Sequence, residues 1–292
     1  MRFLRGLGRL NLGGLSMTYW NAVLLGLVQG VAEFLPISSS GHLAVLQNFL
    51  AIGDMENHML FDVLLHLGTL AAVILAFWKD VREVVTEFAR MLHIRRTPRG
   101  LRPNRRERRL ISFLIIATLP LIPAVFLSNV VESLYQNTFF IGFAFILTGF
   151  LLFAADRMGH GNKDERSSTT ADALVVGLAQ TVAVVPGLSR SGTTISFGML
   201  RGFERSFAVK FSFLLSIPAV LGANLVSLIK VFSTGVEWSY VPMYLVGVAC
   251  AFVSGYFAIY FLRLVVQRGK FGGFCYYCWG AGLVTLLLSL IS

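Results

Sequence analysis

Two polar strings interrupt the apolar stretches of this chain, and each breaks what would otherwise be a membrane helix. The first is Gly26-Leu-Val-Gln29-Gly-Val-Ala-Glu33-Phe-Leu-Pro36-Ile-Ser38-Ser39-Ser40-Gly41-His42. The second is Gly177-Leu-Ala-Gln180-Thr-Val-Ala-Val-Val-Pro186-Gly187-Leu-Ser189-Arg190-Ser191-Gly192-Thr193-Thr194. A shift of 151 positions aligns them without a gap: Gly26 meets Gly177, Gln29 meets Gln180, Ser38 meets Ser189, Ser40 meets Ser191 and Gly41 meets Gly192. The chain reads as a duplication in which both copies put helix-breaking, anion-friendly residues at membrane depth. Backbone that is not helical there is tolerated only where it is buried in protein or lines a cavity, so function is expected at the two breaks.

Composition bounds the fold. Of the 292 residues 55% are hydrophobic and only 14% charged, with mean hydropathy +0.71, against about 25% charged in a soluble domain. Strand alternation is absent, which excludes a barrel, so the chain is expected to be an all-α polytopic membrane protein. The net charge of +10 is concentrated: residues 79–109 hold eleven Lys/Arg against Asp80, Glu83, Glu87 and Glu107. No aromatic interleaving or binding module accompanies that run. It reads as a cytoplasmic loop obeying the positive-inside rule and facing the lipid bilayer, with no nucleic-acid partner. Cys275-Tyr-Tyr-Cys278 has CxxC spacing but lacks a second ligand pair for zinc, so Cys250, Cys275 and Cys278 are expected to be packing residues. No removable signal peptide is visible. Residues 1–16 read as a loose extension before Met17.

A full span needs about 20 residues. The stretches 42–52 and 193–203 are too short, and each follows a break. Segments 18–52 and 172–203 are therefore read as re-entrant hairpins, and 59–78, 110–130, 138–155, 207–231, 240–266 and 274–291 as full spans. Each half, 17–155 and 171–292, becomes a re-entrant helix hairpin plus three transmembrane helices. Three crossings make the second copy inverted, an architecture in which discontinuous helices meet at the midplane. With 79–109 in the cytoplasm, loops 156–170 and 267–273 fall inside, and 53–58, 131–137 and 232–239 outside. Arg2, Arg5 and Arg9 fit less well, and the alternative stays open that 18–35 spans once while 42–52 lies along the interface.

Each break places hydroxyls and a glycine before a helix: Ser38, Ser39, Ser40 and Gly41 in one, Ser189, Arg190, Ser191, Gly192, Thr193 and Thr194 in the other. A helix N-terminus presents free N–H groups and about half a positive charge, and small residues let an anion approach closely. Arg190 adds a planar bidentate donor suited to phosphate. Ordinary N-capping accounts for one serine per helix but not for an arginine in apolar surroundings. The expected ligand is a phosphate or diphosphate. Glu33 and His42 are candidates for acid/base work or metal coordination; Glu33 as a plain ion-pair partner of Arg190, and His42 as a cap or packing residue, are the competing readings. Asp62 and His66 share a helix face, and Asn224, Thr118 and Thr148 are expected to bond between helices.

These residues resemble the undecaprenyl-diphosphate phosphatase family of the bacitracin-resistance type. Its first motif is matched by Gln29, Glu33-Phe34-Leu35-Pro36, the serine turn and Gly41-His42; its second, by Pro186-Gly187-Leu188-Ser189-Arg190-Ser191-Gly192-Thr193-Thr194. The resemblance implies hydrolysis of a polyprenyl diphosphate lipid, undecaprenyl diphosphate, to the monophosphate and phosphate. It also implies a divalent cation (Mg²⁺ or Ca²⁺), an outward-opening site in the bacterial plasma membrane, and recycling of the lipid carrier for wall polymers. Where the family has Glu or Gln, this chain has Gln29, so a second metal-binding carboxylate is missing and Glu33 carries more of that burden. On this reading Arg190 and the N–H groups after Ser39 and Ser189 hold the diphosphate. Glu33 binds the cation or positions a proton acceptor, His42 is the acid/base, and Thr194 supports the second turn. Water, Ser39 or Ser189 attacks. The assembled form is left open, a homodimer included. The acid-phosphatase-like lipid phosphatases need His and Asp where this chain has Ser196 and Leu200. A flippase or transporter of an anionic lipid shares the architecture and is the alternative; it needs the anion site but not Glu33 and His42.

Overall fold

Several helix starts in this chain are written as side-chain caps. Thr18 accepts from the Asn21 N–H (3.2 Å), Asn104 from Arg106 (3.2 Å), Asn137 from Phe140 (3.0 Å) and Ser189 from Gly192 (3.0 Å). Thr169 and Asp172 form a reciprocal capping box. Each satisfies an N–H that the first turn of a helix leaves free. In the computed structural model, which describes residues 17–50, 59–92, 104–234 and 238–290, the helices are α1 (Tyr19–Phe34), α2 (Ser39–Leu50), α3 (Met59–Ala76), α4 (Trp78–Met91), α5 (Arg105–Thr118), α6 (Ser128–Tyr135), α7 (Thr138–Met158), α8 (Thr170–Val182), α9 (Arg190–Leu200), α10 (Arg205–Thr234), α11 (Val241–Gln267) and α12 (Phe274–Ser289). Among the described residues the one strand-like pairing is a bridge between Lys163 and Phe203. The extension 1–16, the segment 53–58 and part of 232–239 fall outside the described residues.

Among the described residues six segments are long and apolar enough to cross a membrane: Met59–Ala76, Arg105–Leu127, Thr138–Met158, Arg205–Ile229, Trp238–Gln267 and Phe271–Ser289. They coincide with the six spans read from the sequence, and the protein is an all-helical, multi-pass membrane protein. Pro120 and Pro123 end α5 at Thr118 and turn the rest of that span into 3₁₀ segments, while α10 runs on through Pro218.

Glycines set the closest packing. A Cβ on Gly26 would lie 2.3 Å from the Gly247 carbonyl oxygen of α11, and one on Gly177 would lie 2.5 Å from the Ala117 carbonyl oxygen of α5. So α1 rides on α11 as α8 rides on α5, through glycines that the 151-residue shift aligns. The largest core cluster runs between these layers. Within it Phe213 meets Phe34 and Phe77 edge-on, at 5.5 and 5.6 Å between centroids.

The basic segment 79–109 is not the plain loop expected. Residues 78–91 form the amphipathic helix α4, whose buried Glu87 accepts from Arg90 (3.2 Å) and from Arg108 of α5 (2.7 Å). The charge density masked a helical period. Nearby, buried Glu165 pairs with Arg106 (2.5 Å) and Lys210 (3.4 Å), and Lys210 also pairs with Asp80 (2.5 Å). Burial pushes the Glu165 carboxyl up, but a backbone hydrogen bond and the two cations more than offset it and hold it below the usual carboxylate range. Segment 131–137 is likewise partly helical, as the end of α6. Thr118 bonds back to Leu114 of its own helix (2.7 Å) rather than across helices. Asn224 does cross, to the Val63 carbonyl (3.4 Å).

Candidate active site

The two breaks abut each other beside the middle of α7. A Cβ on Gly41 would lie 2.9 Å from the Gly187 Cα and 2.7 Å from the Phe145 ring, so only glycine permits the approach. Gly187 has a left-handed φ of 89° and packs on Ile141 and Ala144, a conformation glycine adopts without steric cost. Thr148, the central residue of the 21-residue α7, donates to the Gly187 carbonyl (3.2 Å) and accepts from the Ser189 N–H (3.3 Å). At the other break Cys278 of α12 donates to the Pro36 carbonyl (3.5 Å). Pro36 is the residue that the shift aligns with Gly187.

The serine turns repeat one another. Ser38 Oγ accepts from the Gly41 N–H (3.3 Å) and lies 3.3 Å from Ser40 Oγ; Ser189 Oγ accepts from the Gly192 N–H (3.0 Å) and lies 3.3 Å from Ser191 Oγ. Ser191 crosses to the Leu35 carbonyl (3.3 Å), and Gly192 lies where a Cβ would be 3.1 Å from Pro36 Cβ. Thr194 bonds back to the Arg190 carbonyl (2.9 Å) and lies 2.5 Å from Ser212 Oγ of α10, which anchors the start of α9.

Charge converges on Glu33, which is 8% exposed. Arg190, 157 residues away, donates to its Oε1. Ser39 donates to Oε2 at 2.6 Å and Gln29 Nε2 at 3.1 Å, and His66 Nε2 stands 3.8 Å off. A carboxylate this deep is tolerable because cation and hydroxyl satisfy it together. Ser39 thus has its proton on a carboxylate, whereas Ser189 Oγ serves as a cap.

His42 stands on the next turn of α2. Ser38 has a left-handed φ of 71°, uncommon for a residue with a Cβ, and its carbonyl accepts from His42 Nδ1 at 2.7 Å. A carbonyl only accepts, so Nδ1 carries a proton and Nε2 of the neutral ring holds the lone pair. Nε2 lies 2.8 Å from the Tyr277 hydroxyl.

Thr148 bonds away from its own helix as expected, but spacing alone could not give its clamp on the second break, the approach of His66 to Glu33, Tyr277 or the Cys278 clamp. His66 and Asp62 share one face of α3, as their spacing predicts; the fold brings His66 up to Glu33 while Asp62 takes Gln47 (3.4 Å). Tyr277 lies 235 positions from His42. Cys250, Cys275 and Cys278 are all free thiols, the last two buried; Cys275 fits the expected packing role, while Cys278 also clamps Pro36.

For a divalent cation the donors are Glu33 and Gln29 Oε1, a buried oxygen with no protein partner. Among the described residues no three His, Cys, Asp or Glu side chains form a metal-holding group. That donor set fits a hard cation which takes one carboxylate and completes its shell from substrate phosphates and water.

The fold and site define a polytopic membrane protein with a buried guanidinium, carboxylate and serine cluster where two broken helices meet. The family model Bacitracin resistance protein BacA matches residues 22–284, and the chain belongs to that family. It is 41% identical over 277 residues to the undecaprenyl-diphosphatase of Alkaliphilus metalliredigens, covering 94% of this chain and 100% of that protein. It is 37% identical over 277 residues to that of Halothermothrix orenii (94% and 99%) and 40% identical over 270 residues to that of Syntrophotalea carbinolica (91% and 97%).

Proposed function

We propose that the protein hydrolyses undecaprenyl diphosphate to undecaprenyl phosphate and phosphate, and so returns the lipid carrier to wall synthesis. One observation carries this reading. Glu33, Ser39 and Arg190, drawn from two breaks, share one hydrogen-bonded cluster at the N-termini of α2 and α9. A binding site for an anion needs the arginine and the N-termini; only a reaction needs a hydroxyl held by a carboxylate.

The geometry supports a sequence of steps. The diphosphate competes with Glu33 for Arg190, and the guanidinium moves onto the phosphate oxygens, where bidentate contacts are strong. Glu33, relieved of the cation, accepts the Ser39 proton. Ser39 Oγ forms a bond to the terminal phosphorus, the bridging P–O bond breaks, and undecaprenyl phosphate leaves. Water then attacks the seryl phosphate, giving its proton to His42, and Ser39 recovers its own. Arg190 and the N–H groups at the starts of α2 and α9 stabilise the charge that grows on the phosphoryl oxygens. Gln29 Oε1 and the Glu33 oxygen that Arg190 vacates would hold a Mg²⁺ or Ca²⁺ ion, leaving Glu33 Oε2 to take the Ser39 proton, and the ion would supply charge neutralisation at the diphosphate.

The finer architecture belongs to the same proposal. Halves 17–155 and 171–292 are inverted repeats, each a re-entrant hairpin plus three spans. Supporting this are the matched serine caps, the paired clamps on Pro36 and Gly187, and the paired glycine contacts. The hairpin helices α1, α2, α8 and α9 have 16, 12, 13 and 11 residues. At 1.5 Å per residue none reaches the roughly 30 Å of a bilayer core. The basic end, with α4, faces the cytoplasm of the bacterial plasma membrane. Asp62 lies in the first turn of α3, at the end away from α4, with His66 one turn further in toward Glu33, and this supports a site that opens outward.

The test is phosphate release from undecaprenyl diphosphate by the purified protein in detergent micelles, with one phosphate and one undecaprenyl phosphate expected per turnover. Acid quenching should trap phosphate on Ser39. Activity without a phosphoserine would make water the nucleophile; binding without release would make the protein a carrier of the lipid.

A further inference from the structure

The Cys-Tyr-Tyr-Cys string at the start of α12 is more than packing. Cys278 holds the Pro36 carbonyl of the first break, and one residue earlier Tyr277 holds His42. The imidazole is fixed on three sides. Nδ1 is tied to the strained Ser38 carbonyl (2.7 Å), the Phe145 ring meets the imidazole edge-on at 4.9 Å between centroids, and the Tyr277 ring lies at 19° to it with the hydroxyl 2.8 Å from Nε2. The first two contacts come from the break and from α7; the third is the one that touches the nitrogen free to exchange a proton.

We propose that Tyr277 holds His42 in place and relays the proton between the attacking water and His42 Nε2 in the hydrolysis inferred above, on which this proposal rests. A phenol can both donate and accept. In the neutral ring the phenol donates to Nε2; in the imidazolium Nε2–H donates to the phenol oxygen. The hydrogen bond persists through the proton cycle and only its polarity reverses. The attacking water gives its proton to the phenol oxygen as the phenol gives its own to Nε2, and His42 afterwards releases that proton by the same path to solvent, so the imidazole keeps one orientation throughout. Ser38 fixes which nitrogen works, and Tyr277 fixes where that nitrogen is. A base displaced by an ångström loses rate steeply, so the effect belongs to turnover and not to substrate affinity.

Tyr277→Phe keeps the ring and its stacking and removes only the hydroxyl. Phosphate release from undecaprenyl diphosphate in micelles should show kcat about tenfold lower, within the span that general acid–base catalysis supplies. KM should stay within about twofold, and the thermal unfolding midpoint should not move. Histidine-¹⁵N spectra should show one of the five imidazoles losing its hydrogen-bonded Nε2 signature in the variant. An unchanged kcat overturns the proposal. So does an effect carried by KM, which would make Tyr277 a contact for the lipid, or a lowered midpoint, which would make it a packing residue. If the wild-type protein releases no phosphate, the phosphatase reading fails instead, and the two failures are distinguishable.

Discussion

The two breaks are one backbone device used for different work. Both cap a helix with a serine, pair that serine with the next but one, and hang a carbonyl on a side chain from a neighbouring span. Their chemistry then diverges. The first carries Glu33, Ser39 and His42; the aligned positions in the second are Val184, Arg190 and Thr193. In the proposed mechanism the first break supplies proton chemistry and a nucleophile, and the second supplies a cation and a cradle. Duplication explains the shared scaffold. Divergence explains why neither half makes a site alone: Glu33 needs Arg190 to be buried as an anion, and Arg190 needs Glu33 or a phosphate.

Substitutions break this division of labour at different depths. Glu33→Gln removes the acceptor for the Ser39 proton, and kcat for phosphate release should fall by roughly a hundred- to ten-thousandfold, the range of general acid–base catalysis. Arg190→Lys keeps the charge but not the fork, and steady-state kinetics should show about a hundredfold loss in kcat/KM, as for removal of one preorganised donor. Thr148→Val leaves the Gly187 carbonyl and Ser189 N–H without their partner. The second break should lose about 1–3 kcal/mol, read as a lowered unfolding midpoint in detergent. Cys278→Ala removes the corresponding, weaker sulfur bond at the first break and should cost less than about 1 kcal/mol by the same measurement. If Cys278→Ala cost more than Thr148→Val, the paired-clamp comparison would be wrong.

Much of this was readable in the chain because it is local. The 151-residue shift, the serine caps, the six spans and the singling out of Glu33, Ser39, His42 and Arg190 as candidates, which the fold brings to the two breaks, follow from spacing and from the cost of polar groups in lipid. The missing parts are those that depend on which helices become neighbours. Nothing in the neighbourhood of Tyr277 announces that α12 lies against α2. His66 carries a signal, the i, i+4 pair with Asp62, but not the information that α3 turns that face to Glu33. The helix α4 was hidden for another reason: its Lys and Arg content reads as a loop, while Val81, Val84 and Glu87 give it an inner face.

The convergence of the two breaks is tested most directly by an experimental structure with a non-hydrolysable diphosphonate analogue of the polyprenyl lipid bound. Both phosphorus atoms should lie between the first turns of α2 and α9, with the Arg190 guanidinium turned from Glu33 onto their oxygens and Ser39 Oγ facing the terminal one. Diphosphonate held by only one break, or elsewhere with the Arg190–Glu33 pair intact, would contradict the account.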